Sequence, residues 1–479
     1  MTPAARSTAA TAAALLVACV LSAGAFLSWM PRGSSTPVSM RLPGGDGAPD
    51  RAADGEKPVE IEGVFQQFDG APAQVSGSWP RFRGVNFDNI AADAPPLADA
   101  WGPEGPKVLW RLPMLGEGYA APAVWEGRVY VIDYDEKTRA DAIRCVSLAD
   151  GREIWRRSYK VVVKKNHGMS RTVPAVDAQG LVTIGPRCHV SCLDPVTGAF
   201  RWGLDLQREY GAGEPLWYTG QCPLVEANLV ILAPCGPEVL MVAVDRASGT
   251  PVWKTPNPQG LKMSHSSIIP MTVAGRRMYV YSAVGGVCGV AADGPDAGAL
   301  LWQAPWAAKV VAPSAVAVDD SRVFVTAGYG EGGMMLKITN SGGAFAAEIL
   351  YKHSPKDGLA SEQQTPIVRD GLLFGIMPKD GGALRSQLVC YNPEGTLVWS
   401  SGADNRFGLG PYLLADGKFF VLSDDGELSA VRYSTTGFEP LAKAKVLNGH
   451  DAWGPMALAG GRLLVRDMTE MACVAVGKE

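Results

Sequence analysis

The sequence predicts an all-β fold: an eight-bladed β-propeller of four-stranded antiparallel blades, with an N-terminal strand completing the last blade and closing the ring. Three observations predict it. Eight apolar hairpins recur, each preceded by a proline. A fixed glycine-to-tryptophan step recurs at one place in the repeat. The last repeat lacks its outermost strand, and a lone tryptophan-bearing strand stands ahead of the first.

The hairpins are "AVWEGRVYVI", "AVDAQGLVTI", "LVEANLVILA", "TVAGRRMYVY", "AVDDSRVFVT", "IVRDGLLFGI", "LLADGKFFVL" and "ALAGGRLLVR". Each joins two runs rich in Val, Ile, Phe and Tyr through a Gly, Asp or Asn turn, which is the signature of a hairpin. They follow Pro122, Pro174, Pro223, Pro270, Pro313, Pro366, Pro411 and Pro455, spaced 43 to 53 residues apart. A period of that size is one four-stranded sheet per repeat, as in a propeller. A proline at the first residue of a strand costs no ladder hydrogen bond.

After each apolar hairpin comes a second kind of turn. "CVSLADGREIW" (145–155), "CLDPVTGAFRW" (192–202) and "AVDRASGTPVW" (243–253) share their length and their final Gly-to-Trp step, and Gly298–Trp302 and Gly395–Trp399 repeat that step. The fifth and seventh repeats read "GGAFAAEILY" and "GFEPLAK" there, without tryptophan. The last repeat ends at "MACVAVGKE", and "PKVLWRL" with Trp110 supplies the missing strand, leaving no open edge in the ring.

The pattern A-x-D-x-x-x-G-x-x-x-W, complete at Ala243, Asp245, Gly249 and Trp253, resembles the tryptophan-docking motif of quinoprotein alcohol dehydrogenases and their PQQ-like repeat relatives. The resemblance covers 106–479. It implies that Trp110, Trp155, Trp202, Trp253, Trp302 and Trp399 pack between blades, that the aspartate bonds backbone within the turn, and that eight blades form the ring. "WPRFRG" at 79–84 and "GEGYAAP" are similar to exported bacterial members of that family. At the level of the fold the chain is also similar to the propeller lipoprotein of outer-membrane protein assembly.

Residues 1–30 lie outside this repeat. From Thr8 to Met30 there is no charged residue, behind a single Arg6. Such a stretch directs export, and its length also spans a bilayer. It is read as a retained N-terminal anchor helix; cleavage after Ala23-Gly24-Ala25 and lipidation at Cys19 are the alternatives. Residues 31–76, rich in Pro, Gly, Ser, Ala and Asp, read as a disordered tether. Residues 77–105 are a leader, and 106–479 the propeller. The expected location is extracytoplasmic, on the periplasmic side. A net charge of −4 without a long basic run excludes a nucleic-acid footprint. A monomeric ring is expected.

The resemblance also implies a cofactor, PQQ with Ca²⁺, in the dehydrogenases. Those enzymes carry adjacent disulfide-bonded cysteines, and this chain has no Cys-Cys pair and no C-x-x-C-H haem motif. No metal site is assigned. Cys188-x-x-x-Cys192 around His189 converges poorly on a strand, whereas Cys222 and Cys235 could bridge one hairpin. Cys145, Cys192, Cys390 and Cys473 share a repeat position where a small buried residue is wanted.

The segments before each repeat proline should ring one mouth of the central channel. They hold three of the five histidines, His167, His265 and His450, with Arg171, Tyr218, Gln221, Glu362, Gln363, Arg406, Asp451 and Trp453. Convergent polar groups in a pocket are the default binding-site expectation. The plainer alternative is that they only hydrate the mouth, with Glu362 paired to Arg171 or Arg406. The expected function is a binding or scaffolding module for a cell-envelope protein or small ligand. The alternative is a PQQ-dependent oxidoreductase acting on an alcohol or sugar, with Ca²⁺ on Glu362 or Gln363.

Overall fold

The computed structural model describes residues 16, 20–22, 58–165, 167–449 and 451–478. The expected anchor at 1–30, apart from four helical positions, lies outside the described residues, as does the tether up to residue 57 and His450. Among the described residues no helix is long and apolar enough to cross a membrane.

Eight antiparallel sheets follow one another along the chain, one per repeat. The innermost strand of the first blade is Ala123–Trp125, and that of the last, Ala457–Ala459, lies beside it, so the ring closes. Closure uses the strand expected for it: Val108–Pro113 pairs antiparallel with Glu470–Ala475, with Trp110 opposite Cys473.

The docking tryptophans explain the small residues of the repeat. Trp155, Trp202, Trp253, Trp302 and Trp399 lie directly across the ladder from Cys145, Cys192, Ala243, Gly289 and Cys390. A register shift follows each small residue at once, so every one of these hairpins carries a bulge that bends its outer strand. The turn is fastened by its aspartate: Asp245 Oδ1 accepts from the Ala247 and Ser248 amides, and Asp194 Oδ1 does the same for Val196 and Thr197.

Each indole then reaches the next blade. Trp110, Trp155, Trp202 and Trp253 lie against Gly151, Gly198, Gly249 and Gly298, where a Cβ would come within 2.8 Å of the ring. These glycines have φ of 68–87°, so they also answer the turn's need for a left-handed residue. Trp110 Nε1 donates to Leu148 O and Trp202 Nε1 to Arg246 O, both in the neighbouring blade. Trp302 departs from the pattern: Gly342 and Gly343 of the fifth-blade turn stand clear of it, and its Nε1 donates to Met278 Sδ of its own blade at 3.1 Å. Where the fifth repeat has no tryptophan, Tyr351 reaches across to Pro393 O.

The eight described cysteines, Cys222 and Cys235 included, are free and buried, so the bridge between those two is not made. Cys222 packs in the core between the first two blades and Cys235 in that of the third and fourth.

The N-terminal residues form a second system. Val64–Gln67, inside the stretch expected to be a tether, is a strand on the outer edge of the first blade, with Gln67 opposite Trp155. The chain then passes the hairpin turn at Gly127, where Ala73 N donates to Gly127 O, and enters the channel. Trp79 pairs antiparallel with Val124, and Ile90–Ala91 pairs parallel with Leu414 and Ala415 of the seventh blade. It leaves past the turn at Asp416, whose carboxylate accepts from Leu97 N. The leader is therefore a U-shaped insert that enters and leaves at the hairpin-turn end and turns around between Phe82 and Asn89.

Candidate ligand-binding site

At the opposite end of the channel the segments before the repeat prolines surround a cavity of about 100 Å³. Seven of the eight blades contribute to it, and the turn of the leader closes its base with Phe82, Arg83 and Asn89. The result is a blind cup rather than a through-channel.

Its wall is a run of rings. Tyr119 stacks on Trp453 at 5.3 Å between centroids, and His167 stands edge-on to both at 5.6 and 5.4 Å. Trp217 continues the wall, 6.0 Å from His167 and from Tyr329 and 5.9 Å from His265. His167, Trp217 and Tyr329 all have φ between 51 and 61°. Left-handed backbone in bulky residues is strained, and such strain gathers at ligand sites.

Arg171 lies in this wall with its guanidinium 5.0 Å from the Tyr119 ring centre. It donates to the carbonyls of Trp217, His167 and Gly168, and has no ion pair among the described residues. The expected Glu362–arginine pair is not among the described ion pairs; Glu362 instead has the backbone amide of Lys379 and the charge of its ammonium nearby, and that ammonium lies over Trp453 at 5.1 Å. Burial lowers the Arg171 guanidinium to about 10. Burial, then the charge of Arg171, holds His265 down to about 4 and moves His167 in the same direction. Both imidazoles are consequently neutral at pH 7. Burial raises the carboxyls of Glu362 and Asp424, and Asp424 accepts from Trp453 Nε1 at 2.7 Å.

Two polar atoms of the wall, Tyr119 Oη and Trp217 Nε1, are buried without a hydrogen-bond partner. Buried polar groups are nearly always satisfied, so each orphan calls for an explanation.

The cup brings together His167, Arg171, His265, Glu362, Gln363 and Trp453 from the sequence-derived set. Others lie elsewhere. Gln221 is fully buried and braces Ala233 O and Tyr281 Oη. Tyr218 is buried in a separate cluster and donates to Lys164 O. Arg406 donates to Arg385 O beside a different depression near Phe438. Asp451 is not part of the cavity lining, and its charge helps burial raise the Tyr119 hydroxyl. Tyr119, Trp217, Tyr329, Lys379 and Asp424 were not singled out from sequence. The last three stand in loops between the second and third strands of their blades, which share this end of the ring.

PQQ with Ca²⁺ does not fit these residues. No three His, Cys, Asp or Glu side chains converge to hold a metal among the described residues. The positive charge of Lys379 lies near Glu362, and the described cysteines are single thiols buried in the blades.

A family model described as outer membrane protein assembly factor BamB matches residues 84–214 and 236–375. No curated protein matches the sequence. Among solved structures, the quinohemoprotein alcohol dehydrogenase ADHIIG from Pseudomonas putida HK5 is similar at 12% identity and a TM-score of 0.56, over 84% of this chain and 81% of that one. A europium-containing methanol dehydrogenase gives 12% and 0.56 over 81% and 89%. The computationally designed Ika8 protein gives 12% and 0.51 over 77% and 99%. At such identities the likeness is one of fold, and fold does not bring function with it. With more than half of its length matched by the family model, the chain belongs to the PQQ-like repeat propellers described as outer membrane protein assembly factor BamB.

Proposed function

We propose that the chain is a membrane-tethered, extracytoplasmic binding module whose aromatic cup takes a small ligand. One observation carries this reading. Arg171, a half-buried guanidinium with no carboxylate partner among the described residues, and two orphaned polar atoms, Tyr119 Oη and Trp217 Nε1, belong to the lining of one cavity whose aromatic wall is strained. A ligand with a flat or apolar body and a polar group satisfies all of them. The uncharged stretch at 8–30 supports export and anchoring, and the family match supports a place in the cell envelope.

The test is native mass spectrometry on protein purified from its own membrane fraction. A bound small molecule should be present in wild type and absent from Arg171→Ala and Trp453→Ala. Wild type and both variants running at the bare chain mass, or all three carrying the same adduct, would overturn the reading. Addition of PQQ and Ca²⁺ to the same protein should give no cofactor absorbance band.

A further inference from the structure

A propeller's innermost strands each leave one backbone edge facing the channel, and a narrow channel supplies little water to satisfy it. Here the leader satisfies it. Trp79 exchanges both hydrogen bonds with Val124, at 2.9 and 2.8 Å, and Pro80 O accepts from Val176 N at 2.8 Å. Arg81 donates to Val225 O at 3.1 Å, and Leu414 N donates to Asn89 O at 3.0 Å. Four blades are engaged by Trp79, Pro80, Arg81 and Asn89 alone.

At the turn of the leader stands Arg83, 4% exposed. Its guanidinium donates to Thr365 O at 2.9 Å and Pro366 O at 3.0 Å in the sixth blade, and to Phe87 O and Asp88 O within the leader. Among the described residues it makes no ion pair, and its described hydrogen-bond partners are all carbonyl oxygens. Arg83, Phe87 and Asn89 have φ of 60–67°, three left-handed non-glycine residues within seven positions. That conformation is unfavourable in a free chain, so the channel imposes it.

We propose that the inner channel is a peptide-binding site, specific for an extended segment with one buried arginine, and that residues 79–91 are its occupant in cis. The polar backbone edges of the blades supply affinity, as in strand addition at a sheet edge. The carbonyl cluster at Thr365 and Pro366 supplies selectivity for a guanidinium, whose planar fork reaches several acceptors at once. The turn of the leader also floors the cup, but this inference rests on the channel contacts and needs no cup ligand.

The test uses the full chain carrying Arg83→Ala and Asn89→Ala, which loosen the leader, and a fluorescent synthetic peptide of residues 77–92. The variant should bind the peptide saturably, and wild type should not. A peptide with Ala in place of Arg83 should bind at least about tenfold more weakly, the loss expected for hydrogen bonds to a charged group. A folded variant that binds neither peptide, or both equally, overturns the proposal. Hydrogen exchange on wild type keeps the question decidable if the variant does not fold. The amides of Val124, Val176 and Leu414 should exchange together through an opening of the leader, well ahead of Val131 in the first blade. Exchange of all four only through global unfolding overturns the proposal equally.

Discussion

The indole of Trp155 lies flat against Gly198 of the following blade, at a distance where a Cβ would stand 2.8 Å from Cδ2. Trp155 itself is fully buried. The pair is a lock between blades in which the aromatic needs the absence of a side chain. Trp155→Ala should lower stability by about 3–5 kcal/mol, the usual range for a large core aromatic. Gly198→Ala should cost more than about 1 kcal/mol, because it meets both the ring and a left-handed backbone. Urea unfolding of each variant measures both losses.

His265 makes the ring sensitive to acid in a defined window. Its imidazole is held down to about 4, against about 6.5 in an unfolded chain. Between those values the unfolded chain binds more protons, so stability falls as pH drops through the window and is unaffected above it. His265→Gln should therefore gain on wild type progressively between pH 6.5 and 4.5, seen as a shallower loss of melting temperature on acidification.

Asp141 should act with the opposite sign. Burial raises its carboxyl to about 7, although the Tyr159 hydroxyl donates to it at 2.7 Å. The folded state holds the extra proton between pH 4 and 7, so the charge is a burden at higher pH. Asp141→Asn should be the more stable protein at pH 8, by on the order of 1–2 kcal/mol, and should show no advantage at pH 4. Thermal melts at the two pH values check it.

The thiols offer a reporter. All eight described cysteines are buried, and burial pushes Cys222 up to about 11, so none should react with a thiol reagent in the native state. Phe82 of the leader packs on the cluster that contains Cys222. Arg83→Ala should speed modification of Cys222 selectively, as read by peptide mass mapping.

The Trp–Gly lock was legible in the sequence because a bulged hairpin fixes its spacing in residue numbers. The cup was legible only in part. His167, Arg171, His265, Glu362, Gln363 and Trp453 share a repeat register that the fold converts into one cavity. Within "WYTGQCP", however, Trp217 and Tyr218 are both left-handed, at φ of 61 and 73°. That breaks the alternation by which one neighbour is assigned inward and the next outward, and Trp217 rather than Tyr218 lines the cavity. Lys379, Asp424 and Tyr329 come from loops outside the register. The leader has no period at all, so nothing in "WPRFRG" announced that it would cross the channel.

The strand that closes the ring begins at Val108, and its partner ends at Ala475. Those two strands come from opposite ends of the repeat array, so the last blade forms only after nearly all of the chain is available. The leader, which lies ahead of that strand, is gripped by the first, second and third blades and again by the sixth and seventh. Long-range closure of this kind is slow. Assembly is therefore expected to proceed around the leader as an axle, with the early blades settling on it first and the final strand pairing acting as the latch.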